Sequence, residues 1–101
     1  MENDLADKLS KEIDSCDWSL LEPHYKRDAL LVVKSGLKLA EVGVALAQDD
    51  VEKVKKWQSE ESIRRPLKTE VELWEASPHT KMAQFLIIQP FVLIQILDGK
   101  H

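Results

Sequence analysis

The stretch from Lys81 to Leu97, KMAQFLIIQPFVLIQIL, constrains the fold of this chain more than any other. Between Phe85 and Leu97 no side chain is charged, and only Gln89 and Gln95 are polar. Such an apolar surface is unfavourable in water, so other parts of the molecule must cover it. A membrane-spanning helix needs roughly 20 apolar residues, and this run is shorter and contains Pro90. We therefore expect no contact with a membrane.

The composition of this run favours a strand over a helix. Seven of the twelve residues from Phe85 to Ile96 are β-branched or aromatic, which is typical of strands. A two-residue period places Gln89 and Gln95 on one face, whereas a helix would lose a hydrogen bond at Pro90. Pro90 should mark a sheet edge, a bulge or a break between two short strands. A helix kinked at Pro90 remains the alternative.

The rest of the chain predicts one further strand and several helices. Ala29 to Val33 is a short apolar run, typical of a buried strand. Apolar spacing and capping signals predict helices near residues 5–13, 17–22, 37–47, 51–61 and from 69, with another turn after Ser77-Pro78. We expect the helix near 17–22 to stop before Pro23, and Gly43 to allow close approach of a neighbouring backbone.

These elements predict an α+β fold in a single domain spanning residues 1–101. Helices would pack on a small antiparallel sheet formed by strands near 29–33 and 84–97. Both faces of the last strand are apolar, and helices on one face leave the other exposed. We therefore expect a homodimer in which a second subunit completes or covers the sheet through Phe85–Leu97.

Charge and cysteine content indicate a small cytoplasmic protein. The net charge of -4 argues against a dedicated nucleic-acid-binding protein. Cys16 is the single cysteine, which fits a reducing compartment and excludes an internal disulfide. The N-terminal segment MENDLADKLSKE is charged throughout and does not resemble a secretory signal.

The best candidate for a binding surface combines His24, Arg27 and Asp28 with Gln89 and Gln95. Histidine titrates near neutral pH, and arginine binds carboxylate or phosphate groups through a fork of N–H donors. The two glutamines are polar groups on an otherwise apolar strand and need partners, in a second subunit or in a pocket. A surface turn in which Asp28 pairs with Arg27 or Lys26 is the simpler explanation of the first three residues.

Catalysis, metals and cofactors have weaker support. A small enzyme would use His24 with Asp28, Asp49 or Asp50, but no nucleophile is marked nearby. Asp49 and Asp50 are also explained by helix capping, and the histidines are too dispersed for a zinc site. We expect no catalytic residue, no metal and no cofactor.

Residues 53–68 form the one basic segment. Six cations outnumber two glutamates there: Lys53, Lys55, Lys56, Arg64, Arg65 and Lys68. Phosphate backbones bind such segments. The following helix, however, carries Glu70, Glu72 and Glu75, which phosphates would repel. Nucleic-acid or ribosome association therefore remains an alternative to a solvated basic face.

Three stretches together resemble a known family: PHYKRDALLVV from Pro23, EVGVALAQDD from Glu41 and LIIQPFVLIQ from Leu86. Trp57, Pro66 and Trp74 fall in the same pattern, which covers roughly residues 17 to 97. The family comprises small bacterial proteins known as the domain of unknown function numbered 2288. The resemblance implies a bacterial cytoplasmic protein. It transfers no activity and no catalytic residue, so the sequence favours a non-catalytic binding or regulatory module.

Overall fold

The computed structural model describes residues 3–97, which form five helices and five strands. The helices are α1 (Asn3–Glu12), α2 (Trp18–Lys26), α3 (Leu39–Ala47), α4 (Val51–Ser59) and α5 (Lys68–Ala76). The strands are β1 (Asp14–Asp17), β2 (Leu30–Val33), β3 (Ile63–Arg64), β4 (Lys81–Ile88) and β5 (Phe91–Ile96). None of these helices is long and apolar enough to cross a membrane.

The five strands form one mixed sheet in the order β1-β4-β5-β2-β3. β4 and β5 are an antiparallel hairpin, and β1 and β3 are antiparallel edge strands. β2 lies parallel to β5, with Leu30 opposite Val92. β5 is therefore the central strand, and its residues Val92, Leu93 and Ile94 are all buried. A strand covered on both faces needs such a continuous apolar run.

Each face of the sheet has its own apolar core. On one face α1 and α3 pack over residues such as Leu31, Leu86 and Leu93. On the other face α2 and α5 pack over residues such as Leu30, Val92 and Ile94. The indole of Trp18 joins the two helices of this second face, since its ring centroid lies 5.6 Å from those of Tyr25 and Trp74. One chain thus covers both faces of its sheet.

The α+β class and the strands at both predicted places are confirmed. Pro90 is the break between two strands, and its peptide bond with Gln89 is cis. The sheet is larger than predicted: it has five strands and is mixed, because β2 pairs in parallel with β5. α2 and α5 cover the face that we expected to be bare. The homodimer stays a prediction.

Several local predictions need correction. α2 continues through Pro23 to Lys26, since the ring removes a single N–H donor while Leu21 stays buried on the core side. α5 begins at Lys68 rather than after Thr69, and Ser77-Pro78 opens a turn before β4 rather than a helix. At Gly43 the neighbours are side chains, not backbone: a Cβ would lie 2.9 Å from Leu86 Cδ2.

Three helices end without glycine in the same way. After α2, α3 and α4 the chain takes a left-handed conformation at Asp28, Asp49 and Glu61, with φ of 63°, 59° and 61°. In each case the next amide bonds back to the last turn, as Ala29 N does to His24 O over 3.0 Å. This is the Schellman ending, in which glycine is the usual residue at the left-handed position. An acidic residue at this position is also unfavourable, because its negative charge lies beside the negative end of the helix dipole.

Candidate functional site

The turn from α2 into β2 carries His24, Arg27 and Asp28, so the structure brings these three predicted residues together. The turn is held by its own amides: Asp28 N donates to Tyr25 O over 2.9 Å, and Arg27 N donates to Pro23 O over 3.2 Å. β2 then starts in the sheet, where Val92 N donates to Ala29 O. We call the region of His24, Arg27, Asp28 and Arg65 the α2–β2 corner.

His24 and Arg27 lie one helical turn apart and are hydrogen bonded. Arg27 Nη2 is 2.6 Å from His24 Nδ1. A guanidinium only donates, so Nδ1 must accept and the neutral imidazole carries its proton on Nε2. Partial burial and the charge of Arg27 lower the pKa of His24. At neutral pH the pair therefore has one positive charge and an imidazole Nε2–H donor.

Asp28 has a partner that the sequence did not reveal. Arg65, which directly follows β3, forms an ion pair with the Asp28 carboxylate through its Nη1 atom. The antiparallel register of β2 and β3 explains the approach, because Arg64 lies opposite Val32 and the chain then runs back toward Asp28. Both side chains remain largely in water, with exposed fractions of 54% for Arg65 and 78% for Asp28. Such an exposed pair is weak and exchanges readily.

Arg64, the residue before Arg65, is bound quite differently. Its two Nη atoms donate to the two carboxylate oxygens of Glu70, each over 2.8 Å. Glu70 also accepts from Leu67 N over 2.9 Å, which caps the start of α5. The Arg64 bond lowers the pKa of Glu70, and the Glu70 bond raises that of Arg64. This pair joins β3 to α5 and leaves Arg64 little capacity for a ligand.

The two glutamines do not form one site. Gln95 lies near the end of β5, and its Nε2 donates to Lys34 O over 2.8 Å and to Leu37 O. Its partners are thus in the loop after β2, within the same chain. Gln89 is exposed in the turn between β4 and β5, at the end of the sheet where β2 begins. Six residues of strand separate the glutamines by roughly 20 Å.

Asp49 and Asp50 follow α3, which packs on the opposite face of the sheet from α2. Asp50 caps α4 by accepting from Lys53 N over 3.3 Å, and Asp49 takes the left-handed position that ends α3. Capping thus accounts for the Asp50 carboxylate, and the contacts link neither aspartate to His24. Within residues 3–97 no group of three or more His, Cys, Asp or Glu side chains could hold a metal ion.

Cys16 is a core residue. It is buried in β1, and burial, reinforced by the neighbouring charge of Asp17, raises the pKa of its thiol to about 11. The thiol is therefore protonated at neutral pH, whereas nucleophilic cysteines need the thiolate. Cys16 packs with Ala83 of β4 and Trp18 of α2 in the core of the second face.

The basic segment is divided by the fold. Lys53, Lys55 and Lys56 are exposed on α4, whereas Arg64 and Arg65 are each paired with a carboxylate. The pairing removes two of the six cations that would contact phosphates. The three lysines of α4 and Lys68, exposed at the start of α5, are the cations of the segment that make no ion pair among the described residues.

A groove with a volume of about 690 Å³ lies between α1, α3 and the start of α4. Small residues, including Ala6 and Ala40, form part of its lining. Charges of both signs line its sides: Asp7, Lys38, Glu41, Asp50 and Lys53. This mixture selects neither an anionic nor a cationic ligand. The groove also lies on the face of the sheet opposite α2 and the α2–β2 corner.

Comparison with known proteins shows the family of the chain. The family model described as "Protein of unknown function (DUF2288)" matches residues 4–96. The chain belongs to this family. The resemblance of the three sequence stretches is thus confirmed, and it extends over α1 and β1 as well. No curated protein matches the chain.

The fold of this DUF2288 protein is shared with a solved structure, described as the NMR solution structure of PA1075 from Pseudomonas aeruginosa. The two chains are 34% identical and superpose with a TM-score of 0.75. The match covers 91% of this chain and 83% of the other. Neither comparison supplies an activity, so the functional argument depends on the side chains described above.

Proposed function

We propose that this DUF2288 protein is a non-catalytic binding or regulatory module of the bacterial cytoplasm, and that it binds its ligand at the α2–β2 corner. The observation that carries the proposal is the grouping of two guanidiniums and one imidazole at the α2–β2 corner. Arg27 is bonded to His24 over 2.6 Å, and Arg65 reaches the corner through its ion pair with Asp28. Donors dominate the corner, with Asp28 as its one carboxylate.

The corner supports binding better than catalysis. Arg27 holds His24 as a neutral group with its Nδ1 lone pair occupied, so that nitrogen is not available as a general base. Asp28 is paired with Arg65 and does not orient the imidazole. A base needs a free nitrogen and an orienting partner. The same groups suit recognition, because each presents N–H donors on a surface element whose backbone is fixed by hydrogen bonds.

A ligand screen with matched variants tests the binding function. Thermal-shift measurements on a panel of phosphorylated, carboxylated, cationic and neutral metabolites should yield ligands whose effect is lost in Arg27→Ala. Lys55→Ala is the control, because it removes an equal, exposed charge from α4. Ligands that both variants bind alike, or a panel with no ligand at all, would contradict the proposal.

We further propose that the protein is a homodimer through the segment Phe85–Leu97. Although the sheet faces are covered, Ile87 of β4 is 44% exposed. The pairing of β1 with β4 ends at Phe85, so residues 86–88 have only β5 as a neighbour among the described strands. An apolar side chain beside a free strand edge is a typical contact point for a second copy.

Sedimentation at micromolar concentration tests the dimer. We expect twice the chain mass of 11.6 kDa and a shift to the monomer in Ile87→Asp. Leu73→Asp is the control, because Leu73 on α5 is 73% exposed and lies outside the proposed interface. A monomeric parent protein would refute the dimer and leave the ligand corner untouched.

Nucleic-acid binding through residues 53–68 is the weaker alternative. Three exposed lysines of α4 support it, whereas the pairing of Arg64 and Arg65 counts against it. RNA binding that weakens steeply with salt and is lost when Lys53, Lys55 and Lys56 are reversed to glutamate would favour this alternative.

A further inference from the structure

We infer that the α2–β2 corner is an oxyanion site, for a phosphate or carboxylate group, in which Asp28 occupies Arg65 until the ligand replaces it. The inference rests on the binding function proposed above and names the chemistry of the ligand. It follows from three features of the corner: its donors, the exposure of the Asp28 pair, and the difference between Asp28 and Asp49.

The donors of the corner suit an oxygen anion. Each guanidinium has five N–H groups, and the contacts described above use one Nη atom of Arg27 and one of Arg65. The neutral His24 adds its Nε2–H. Arginine forks match the planar geometry of two oxygens on one carbon or phosphorus atom, and these charge-assisted bonds are among the strongest in proteins.

Asp28 already shows the interaction that a ligand would make. Its carboxylate is an oxyanion bound to Arg65, but it is supplied by the chain itself. Because the pair is mostly in water, separating it has a low energetic cost. An external phosphate or carboxylate that contacts Arg65 and a neighbouring donor gains more bonds than Asp28 alone provides.

The helix ending explains the backbone conformation at Asp28 but not the acidic side chain there. With φ of 63° the position favours glycine, and a carboxylate after the last turn of α2 is repelled by the helix dipole. Asp49 has the same conformation, with φ of 59° after α3, but no ion pair of Asp49 is found among the described residues. Asp28 differs from Asp49 in having an ion-pair partner, Arg65.

The test is titration with inorganic phosphate and, separately, with acetate at constant ionic strength, followed by the amide signals of Asp28 and Arg65 and the Nε–Hε signal of Arg65. Removing the internal competitor should tighten binding, so Asp28→Asn should increase the affinity for phosphate about two- to fivefold. Asparagine tolerates the left-handed conformation. Asp49→Asn is the matched control, because it makes the same charge change at the same backbone conformation, and it should leave the affinity unchanged.

Arg65→Ala should weaken binding about three- to tenfold, and Arg64→Lys should leave it close to that of the parent protein. A response to phosphate alone assigns a phosphate ligand, and a response to acetate alone assigns a carboxylate. If Asp28→Asn and Asp49→Asn increase the affinity equally, the increase comes from the change in net charge, and the inference is overturned. The absence of a response to either anion would overturn it as well.

The inference and the proposed function fail separately. If the metabolite screen gives cationic or neutral ligands that depend on Arg27, the corner is a binding site but not an oxyanion site. If phosphate binds with the expected dependence on Asp28 and Arg65 while no metabolite does, the chemistry of the site stands and the proposed function loses its support.

Discussion

Arg64 and Arg65 are neighbours in sequence, yet their ion pairs differ in every property that determines strength. Arg64 and Glu70 form two parallel bonds, and their side chains are only 33% and 23% exposed. Arg65 and Asp28 make one contact with both groups mostly in water. Because side chains alternate in direction along an extended chain, adjacent arginines at the end of β3 meet different surroundings.

The difference between the two pairs indicates which arginine can bind a ligand. A pair that is shielded from water and fully bonded stabilises the fold, and its arginine is committed. A pair in water contributes little to stability, so its arginine is free to change partners. A count of charges along residues 53–68 does not distinguish the two arginines. In the fold, Arg64 forms a structural ion pair, whereas Arg65 lies at the surface in a weak one.

We expect the largest effect from breaking the Arg64–Glu70 pair. Glu70→Ala should lower the free energy of unfolding by about 1–3 kcal/mol, because it leaves the Arg64 guanidinium half-buried without its partner and removes the acceptor of Leu67 N. Urea denaturation of the two proteins measures the difference. A loss no greater than that of Glu72→Ala, an exposed residue of the same helix, would show that the Arg64 pair is not structural.

An intermediate effect is expected from pH. The folded protein lowers the pKa of Glu70 below its ordinary value of 4.5, so the unfolded state binds the proton first. The stability from this carboxylate is therefore complete above about pH 4.5 and is lost as the pH falls through the lowered pKa. The stability gap between the parent protein and Glu70→Gln should close in acid. Denaturation curves between pH 7 and pH 3 provide the check, and a gap that is constant with pH would contradict it.

The smallest effect is expected at the exposed pair. Asp28→Asn should change the free energy of unfolding by less than about 0.5 kcal/mol, because the pair is in water and asparagine keeps the left-handed backbone. Thermal denaturation at low and high salt gives the value. A destabilisation as large as that of Glu70→Ala would make the Asp28–Arg65 pair structural and remove the basis for exchange with a ligand.

The main strands were predictable because buried strands have continuous apolar runs in the sequence. The continuous apolar run through Val92 and Ile94 is what a central strand requires, and Pro90 marks its break. β1 was missed because an edge strand needs few apolar residues, and Asp14–Asp17 places only Cys16 in the core. The end of α2 was misplaced because Pro23 was taken as the stop, whereas the helix continues to Lys26. It ends with Asp28 in the left-handed position that glycine usually takes.

The candidate site was predictable only where it is local. His24, Arg27 and Asp28 lie within one turn, so their grouping follows from the sequence. The pairing of Asp28 with Arg65 depends on the register of β2 and β3, which no short-range pattern specifies. The partners of Gln95 could not be predicted for the same reason. We predicted that a subunit or pocket would face it, but its partners are the carbonyls of Lys34 and Leu37 in a distant loop.

The order of the strands also has a consequence for how the protein folds. β1 and β2 precede the β4–β5 hairpin by many residues, yet β4 is the neighbour of β1 and β5 is a neighbour of β2. Without the hairpin, β1 has no partner among the described strands and β2 has only the two residues of β3. Forming contacts between distant segments has an entropic cost and slows folding. The hairpin is therefore the element on which both earlier strands depend for their place in the sheet.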